Sequence, residues 1–259
     1  MNIGNVLLYQ PIISGLFVFY RLFGSLGWAI IALTVFIRLA LAPLTLPGMK
    51  AALKMQELAP QLAKLKKKFG KNREKLAKAQ MDLYKQYKIN PAAGCLPQIV
   101  QIIILITLYR VFNDVLVQTD PAAVIDKVNS TVYSFLRLPE TALVSRQFWY
   151  LDLSRPDVFR IGNIPLPGAF LLLAEITQYL AAKMTLPAAK KQQEVAKKTP
   201  STTDDFSTAM QKQSLYLFPL MTLFFGFTFP SGLVVYWAVF SLVNLIQQGL
   251  MKKNMSKKE

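Results

Sequence analysis

Charged and amide side chains interrupt apolar stretches of this 259-residue chain, and their types limit the chemistry available. Arg38 lies in the run Thr-Val-Phe-Ile-Arg-Leu-Ala, and Thr34, four residues earlier, shares its helical face. Glu175 lies inside a later apolar stretch. An Arg deep in a membrane span costs about 2.5–3.5 kcal/mol on insertion scales, so it usually faces a bundle interior or a watery cavity. We therefore interpret Arg38 as functional; the alternative is that it only snorkels to the headgroups.

Amide groups extend this polar set. Gln98 and Gln101 stand near the start of one apolar stretch, and Gln178 follows Glu175 in another. Together these residues suit a cavity open to the inside and closed to the outside. Glu175 either pairs with Arg38 or is protonated and hydrogen-bonded, and the sequence leaves both open.

Composition excludes several classes of protein. Hydrophobic residues make up 53% of the chain and charged residues 17%, against about 45–50% and 25% in soluble domains. The net charge is +16, so a basic membrane protein is the first interpretation. With no His and one Cys, disulfide frameworks, Cys/His zinc sites and His-based triads are ruled out. We expect that the protein is not an enzyme and that it binds neither a cofactor nor a metal ion.

The apolar stretches predict an all-α membrane protein with five transmembrane helices, an N-terminal interfacial helix and a cytoplasmic helical hairpin. A cleaved signal peptide is the weaker alternative for residues 11–23, because no basic segment precedes them. The predicted segments are an extracytoplasmic start with the interfacial helix (1–25), a first span (26–48), a basic hairpin (49–90), a second span (91–117), an extracytoplasmic loop (118–164), a third span (165–184), a flexible cytoplasmic linker (185–213), a fourth span (214–230), a fifth span (231–251) and a basic tail (252–259).

Lys and Arg are distributed unequally between the predicted loops. Residues 49–90 hold twelve and residues 183–212 hold six, whereas the five in residues 117–164 are matched by five acids. By the positive-inside rule the N-terminus lies outside and the C-terminus in the cytoplasm. With no transit peptide apparent, we expect a multi-pass protein of a bacterial inner membrane.

The basic hairpin carries an apolar seam under a charged surface. Its cations contact lipid headgroups, ribosome or client in one interpretation, and are only a solvated face in the other. The tail at 252–259 has the same two interpretations. The candidate contact residues are Lys64, Lys66, Lys67, Lys68, Lys71, Arg73, Lys252 and Lys253.

Five segments, in order along the chain, resemble the YidC/Oxa family of membrane protein insertases. They are residues 34–45 around Arg38, the hairpin start at 55–60, residues 84–97 running into Gln101, residues 148–154, and residues 229–237 followed by Gln247 and Gln248.

The resemblance implies a five-helix core around a hydrophilic groove that is open to cytoplasm and lipid, working without nucleotide. Arg38 matches the groove arginine that draws acidic client tails into the bilayer. Thr34, Gln101 and Trp237 match positions along the client's path. The implied partners are nascent membrane-protein clients, the ribosome, the Sec channel and anionic lipids, and the protein is expected to be monomeric.

The sequence also departs from the family. The large periplasmic domain of some members is missing from it, as is an N-terminal lipid-modified Cys, and Glu175 stands where we expect a small or apolar residue. Two other functions compete with an insertase. A small-solute transporter or channel would use Arg38 and Glu175 as its binding pair. An intramembrane enzyme lacks the His, paired Asp or metal cluster it would need.

Overall fold

The computed structural model describes residues 4–69, 72–90, 96–184 and 218–256. The chain divides into two compact units. Unit 1 takes its described residues from 1–41, 100–177 and 222–243, and unit 2 from 42–99, 178–221 and 244–259. The predicted contact residue Lys71 and the predicted linker at 185–213 lie outside the described residues.

Helices form most of the described chain. They are α1 (Gln10–Phe23, preceded by a π-helical turn at Asn5–Tyr9), α2 (Leu26–Ala40), α3 (Ala42–Glu57), α4 (Ala59–Phe69), α5 (Arg73–Gln86), α6 (Leu96–Phe112, followed by a π-helical turn at Asn113–Val117), α7 (Pro121–Thr131), a 3₁₀ turn (Ser134–Leu136), α8 (Ala169–Met184), α9 (Phe218–Gly226) and α10 (Ser231–Ser256).

The first two helices of unit 1, α1 and α2, are joined by a short turn that contains a glycine. Gly24 adopts φ +65° and its N–H donates to the Tyr20 carbonyl at 2.8 Å, which ends α1 in the left-handed conformation that glycine tolerates. Ser25 is extended, and α2 begins at Leu26. The two helices pack through fully buried side chains, and this contact begins the core of unit 1.

The predicted first span is interrupted at Leu41, where α2 ends and α3 begins. Pro43 explains the break, because it has no N–H to donate to the Leu39 carbonyl and its ring would clash with that carbonyl in a continuous helix. Pro43 is tolerated in the first turn of α3, where an amide would lack a helical partner.

Three helices in the described part of the chain are long and apolar enough to cross a membrane: Asn5–Phe23, Gln98–Val117 and Ser231–Asn254. The interrupted pair α2 and α3 makes a fourth if both parts belong to one span. The number of five spans is not confirmed, since the described part of α8 has 16 residues and that of α9 has nine. The first of these helices is long enough to span, so its predicted interfacial placement stays a prediction.

Two short β-hairpins lie where the sequence predicted only a loop and the start of the third span. Strands β1 (Gln147–Phe148) and β2 (Leu151–Asp152) pair antiparallel, with Phe148 opposite Leu151. Strands β3 (Val158–Ile161) and β4 (Ile164–Pro167) also pair antiparallel, with Phe159 opposite Leu166 and Ile161 opposite Ile164. The helix of the predicted third span therefore begins at Ala169, four residues later than the predicted start at 165.

Unit 2 contains the basic helices. Asn72 caps α5 by accepting a hydrogen bond from the Lys75 amide at 3.0 Å, and the Gln61 amide donates to the Tyr87 hydroxyl at 2.7 Å. Leu58 and Leu76 are buried. Burial raises the pKa of the Tyr84 hydroxyl. The apolar seam predicted from the spacing of these residues thus has buried members within this unit.

Candidate functional site

Arg38 lies in the last turn of α2 and is 8% exposed. Its guanidinium carbon lies 4.4 Å from the centroid of the Phe240 ring on α10. A cation at this distance over an aromatic face is attracted by the ring quadrupole, and removal from water strengthens that attraction. The structure therefore holds this positive charge inside unit 1, against a helix about 200 residues later in the sequence.

A hydrogen-bonded hydroxyl–amide pair, of which the hydroxyl residue is buried and the amide residue half-buried, lies next to this contact. The Gln101 side-chain amide on α6 donates to the Tyr236 hydroxyl at 2.7 Å, and Tyr236 is 2% exposed. The Tyr236 ring lies 5.9 Å, centroid to centroid, from the Phe240 ring that Arg38 contacts. Because Tyr236 and Phe240 are four residues apart on α10, both point to the same face of that helix. Three helices thus contribute to one polar cluster.

Thr34 completes the α2 side of the cluster. It is 2% exposed and donates its hydroxyl proton to the Ile30 carbonyl at 2.6 Å. The hydroxyl oxygen keeps its capacity to accept a hydrogen bond. We define the Arg38 cluster as Thr34, Arg38, Gln101, Tyr236 and Phe240.

Trp237 is half-buried, and its ring has different neighbours. It stacks with Phe229 at a centroid distance of 6.4 Å and lies tilted against Phe225 at 6.5 Å. Phe225 and Phe229 themselves stack at 5.0 Å. Trp237 therefore belongs to an aromatic group between α9 and α10, next in sequence to the Arg38 cluster.

Glu175 on α8 is half-buried, and its Oε1 atom is buried with no hydrogen-bond partner among the described residues. In the part of the chain that the structure describes, Glu175 forms no ion pair within 4.0 Å. The pairing with Arg38 that the sequence left open is therefore not formed.

The remaining candidates lie in unit 2. Gln98 is exposed, and Gln178 is half-buried and has an interaction partner. Among the basic residues, Lys66 is 8% exposed, and the Lys68 ammonium lies 5.2 Å from the centroid of the Phe69 ring. The side chain of Arg73 lies outside the described set. Lys64, Lys67, Lys68, Lys252 and Lys253 are exposed.

Sequence reasoning missed Tyr236 and Phe240. Both are aromatic residues in an apolar run, but the sequence does not indicate which residues of an apolar helix face Arg38. Position gives only a weak signal, because Tyr236 adjoins Trp237 in a segment that carried the family resemblance.

A second polar network, also missed, joins the two β-hairpins to α8. Asp157 is 1% exposed, and its carboxylate accepts hydrogen bonds from the Tyr150 hydroxyl at 3.0 Å and the Leu171 amide at 2.9 Å. The Tyr150 hydroxyl accepts from the amides of Ala169 at 2.9 Å and Phe170 at 3.3 Å. Burial raises the pKa of Tyr150, with a further contribution from the Asp157 carboxylate. Three free amides at the start of α8 are thereby satisfied.

Asp114 has partners other than the neighbour that spacing suggests. It accepts a hydrogen bond from the Tyr9 hydroxyl and lies 3.9 Å from the Lys127 ammonium. Arg110, four residues earlier, instead lies over the Tyr9 ring, 5.2 Å from its centroid. The π-helical turn that begins at Asn113 accounts for this, because its i to i+5 bonding changes the angular spacing of the side chains.

Comparison with known proteins supports the same family as the motifs. The family model described as 60Kd inner membrane protein matches residues 18–258. A membrane protein insertase YidC of Nitratidesulfovibrio vulgaris (strain Miyazaki F) is 34% identical over 243 residues, which cover 93% of this chain and 37% of the relative. The YidC of Oleidesulfovibrio alaskensis is 32% identical over 245 residues, covering 94% and 38%. The chain thus spans little more than a third of the length of these relatives.

The fold is also similar to a solved structure, described as an active YidC insertase crystal structure with the first transmembrane domain resolved. The TM-score is 0.52 at 23% sequence identity, over 92% of this chain and 45% of the other. This likeness confirms the predicted all-α membrane fold. The relatives are named as membrane insertases, which is not an enzyme class. The resemblance inferred from the motifs is confirmed: this chain is a multi-pass inner-membrane protein that belongs to the 60Kd inner membrane protein family.

Proposed function

We propose that this chain is a membrane protein insertase and chaperone, and that the Arg38 cluster receives the polar segment of a client. The observation that carries the proposal is a guanidinium at 8% exposure inside a helical unit, held over the Phe240 ring beside the hydrogen-bonded pair of buried Tyr236 and half-buried Gln101. Coulombic attraction is stronger in such a setting than in water, so an acidic tail would gain more from Arg38 there than from a surface cation.

An insertase must lower the free-energy cost of moving a polar tail of the client through the hydrocarbon core of the bilayer. Each unsatisfied backbone group costs several kcal/mol across about 30 Å of apolar core. A hydrophilic groove open to cytoplasm and lipid would shorten the dry distance, and Thr34, Gln101, Glu175 and Trp237 of unit 1 would line the client's path. The client's own apolar segment then supplies the driving force by entering lipid, and no nucleotide is needed.

The predicted orientation places the N-terminus outside and the C-terminus in the cytoplasm. In that orientation the exposed cations of α4, with Lys252 and Lys253, face the side where nascent clients, ribosomes and anionic headgroups are found. The Sec channel is a further expected partner, and the protein acts as a monomer in this proposal.

Reconstitution tests the function. The purified chain is placed in liposomes, a radiolabelled single-span client with a short acidic tail is synthesised alongside, and protease protection reports how much client spans the bilayer. The comparison includes Arg38→Ala, Arg38→Lys and Arg160→Ala. Arg160 is exposed on β3, so its replacement removes one positive charge without touching the Arg38 cluster.

We expect protection with the wild type, with Arg38→Lys and with Arg160→Ala, and reduced protection with Arg38→Ala. Protection no higher than in empty liposomes, for several clients, would refute the insertase function and favour a solute transporter. Flux of small solutes through the same sealed liposomes would then be measured with Arg38 and Glu175 variants. Equal protection with wild type and Arg38→Ala would refute the role of Arg38 alone.

A further inference from the structure

The β3–β4 hairpin of unit 1 has one entirely apolar face. Because opposed residues in an antiparallel pair share a face and alternate residues change face, Phe159, Ile161, Ile164 and Leu166 all lie on the same side. All four are exposed, with Ile161 at 69% and Ile164 at 65%. We call these four residues the hairpin face.

The opposite side of the hairpin differs in chemistry. It carries Val158, Arg160, Pro165 and Pro167, of which Arg160 and Pro165 are exposed. The tip is the two-residue turn Gly162–Asn163, where Gly162 takes the φ of +61° that a type II′ turn requires at its first position. The hairpin therefore has one wholly apolar, exposed side, and its other side carries a single cation, Arg160.

The hairpin is fixed to the start of α8. A single residue, Gly168, separates Pro167 from the helix, and its amide donates to the Asp157 carbonyl at 2.8 Å. The Asp157 carboxylate also holds the Leu171 amide. On α8 itself Leu172, Leu173 and Ile176 are exposed. The apolar surface of the hairpin thus continues along the chain into the exposed apolar surface of a predicted membrane helix.

Aromatic side chains surround this junction. Phe159 stacks on Tyr150 at 5.5 Å, and Phe170 lies 5.9 Å from Trp149, which in turn meets Trp28 edge to face at 6.1 Å. Trp149 is 71% exposed and adopts φ +53°, a backbone conformation uncommon for a bulky residue. Exposed Trp and Tyr are enriched where a membrane meets water, since their rings are apolar and their N–H or O–H groups are wet.

We infer that the hairpin face and Trp149 insert into the interfacial region of the outer leaflet, and that the hairpin is a lipid anchor for the outer end of α8. The partner is the bilayer itself, chosen because the face continues into α8 and is bordered by interfacial aromatics. Arg160, on the other side, then points toward phosphates and water, as basic residues of interfacial elements do. The inference goes beyond insertion of clients and depends on α8 being a membrane helix whose start lies on the outer side, as the predicted orientation has it.

Depth-dependent quenching tests this anchor. Cys95, the one cysteine of the chain, is replaced by serine, and a single cysteine is introduced at Ile164 on the hairpin face. Pro165→Cys, the next residue on the opposite side, is the matched control. Each full-length variant is labelled with an environment-sensitive fluorophore and reconstituted into phosphatidylcholine–phosphatidylglycerol liposomes with and without brominated acyl chains. Leu172→Cys on α8 reports lipid contact, and Glu140→Cys, in an exposed turn, reports water.

We expect the emission of the label at 164 to be blue-shifted and to be quenched by brominated lipid. Both effects should be larger than for the label at 165 and should approach those of the label at 172. Quenching at 164 no greater than at 140 would overturn the anchor. A blue shift at 164 without quenching would overturn it too, because protein rather than lipid would then cover the face. If the label at 172 is not quenched, α8 is not a membrane helix and the anchor is refuted with it. Insertion of clients is measured in a separate assay, so the two failures can be told apart.

Discussion

Replacing Asp157 by alanine removes the carboxylate that joins the two β-hairpins to α8. Two hydrogen bonds disappear, to the Tyr150 hydroxyl and to the Leu171 amide, and the residue is 1% exposed. A hydrogen bond to a charged group contributes about 1.5–3 kcal/mol. The Tyr150 side chain is 45% exposed and its hydroxyl can turn to water, so most of the loss comes from the Leu171 amide at the start of the helix.

The expected destabilisation is therefore about 2–3 kcal/mol, close to the upper end for loss of an N-terminal cap. For a domain of this size, 1 kcal/mol shifts the melting temperature by about 2–4 °C, so Asp157→Ala should lower it by roughly 4–12 °C. Thermal unfolding in one detergent, followed by intrinsic fluorescence, measures this. Asp126→Ala is the control, because Asp126 is an exposed acid on α7.

Asp157→Asn separates the acceptor from its charge. The amide oxygen can still accept one hydrogen bond, so we expect a loss between those of the alanine variant and the control. Equal melting temperatures for Asp157→Ala and Asp126→Ala would refute the argument that this buried carboxylate holds the start of α8.

Three further predictions follow from the same contacts. Gly168→Ala should destabilise the protein about as much as Asp157→Ala, because a Cβ at 168 would overlap the Asp157 carboxylate; a melting temperature equal to wild type would contradict this close approach. Tyr150 has a raised pKa, so the stability it contributes is present below about pH 10 and is lost as pH rises through its folded-state value. Tyr150→Phe should therefore show a shallower alkaline loss of melting temperature than wild type, and parallel profiles would contradict this. Phe240→Leu removes a cation–π contact of about 0.5–2 kcal/mol, so client insertion should fall less than with Arg38→Ala; a larger fall would show that the ring itself contacts the client.

The sequence identified Arg38 because the cost of a charge in an apolar run is a property of the run itself. Its contacts could not be read in the same way, since Phe240 and Tyr236 come from a distant helix and their direction depends on packing. The same holds for Glu175 and Arg38, which form no ion pair with each other in the described part of the chain. Two groups that hydropathy places at similar depth need not face each other.

The segment predicted as a loop at 118–164 shows a different limit of sequence analysis. The Gly162–Asn163 dipeptide between two apolar runs is a hairpin signal, but Pro165 and Pro167 argue against a strand in one of them. Strands β3 and β4 nevertheless pair, because in an isolated two-stranded hairpin each strand has a free edge where residues without an N–H, such as proline, are tolerated. Asp157 counted only as one of five acids balancing five bases, because burial is not visible in composition.

The central claim is that the Arg38 charge, and not its bulk, draws an acidic client tail inward. Two otherwise identical single-span clients, one with an acidic tail and one with Asp replaced by Asn, are inserted by wild type and by Arg38→Ala in protease-protection assays. Opposite charges 4 Å apart attract by about 4 kcal/mol at an effective dielectric constant near 20. About 1.4 kcal/mol of this would already change an equilibrium tenfold.

We therefore predict a loss of roughly tenfold for the acidic tail with Arg38→Ala, and little change for the neutral tail. Equal losses for the two clients would contradict the account, because Arg38 would then act through the structure of the cluster instead of through its charge.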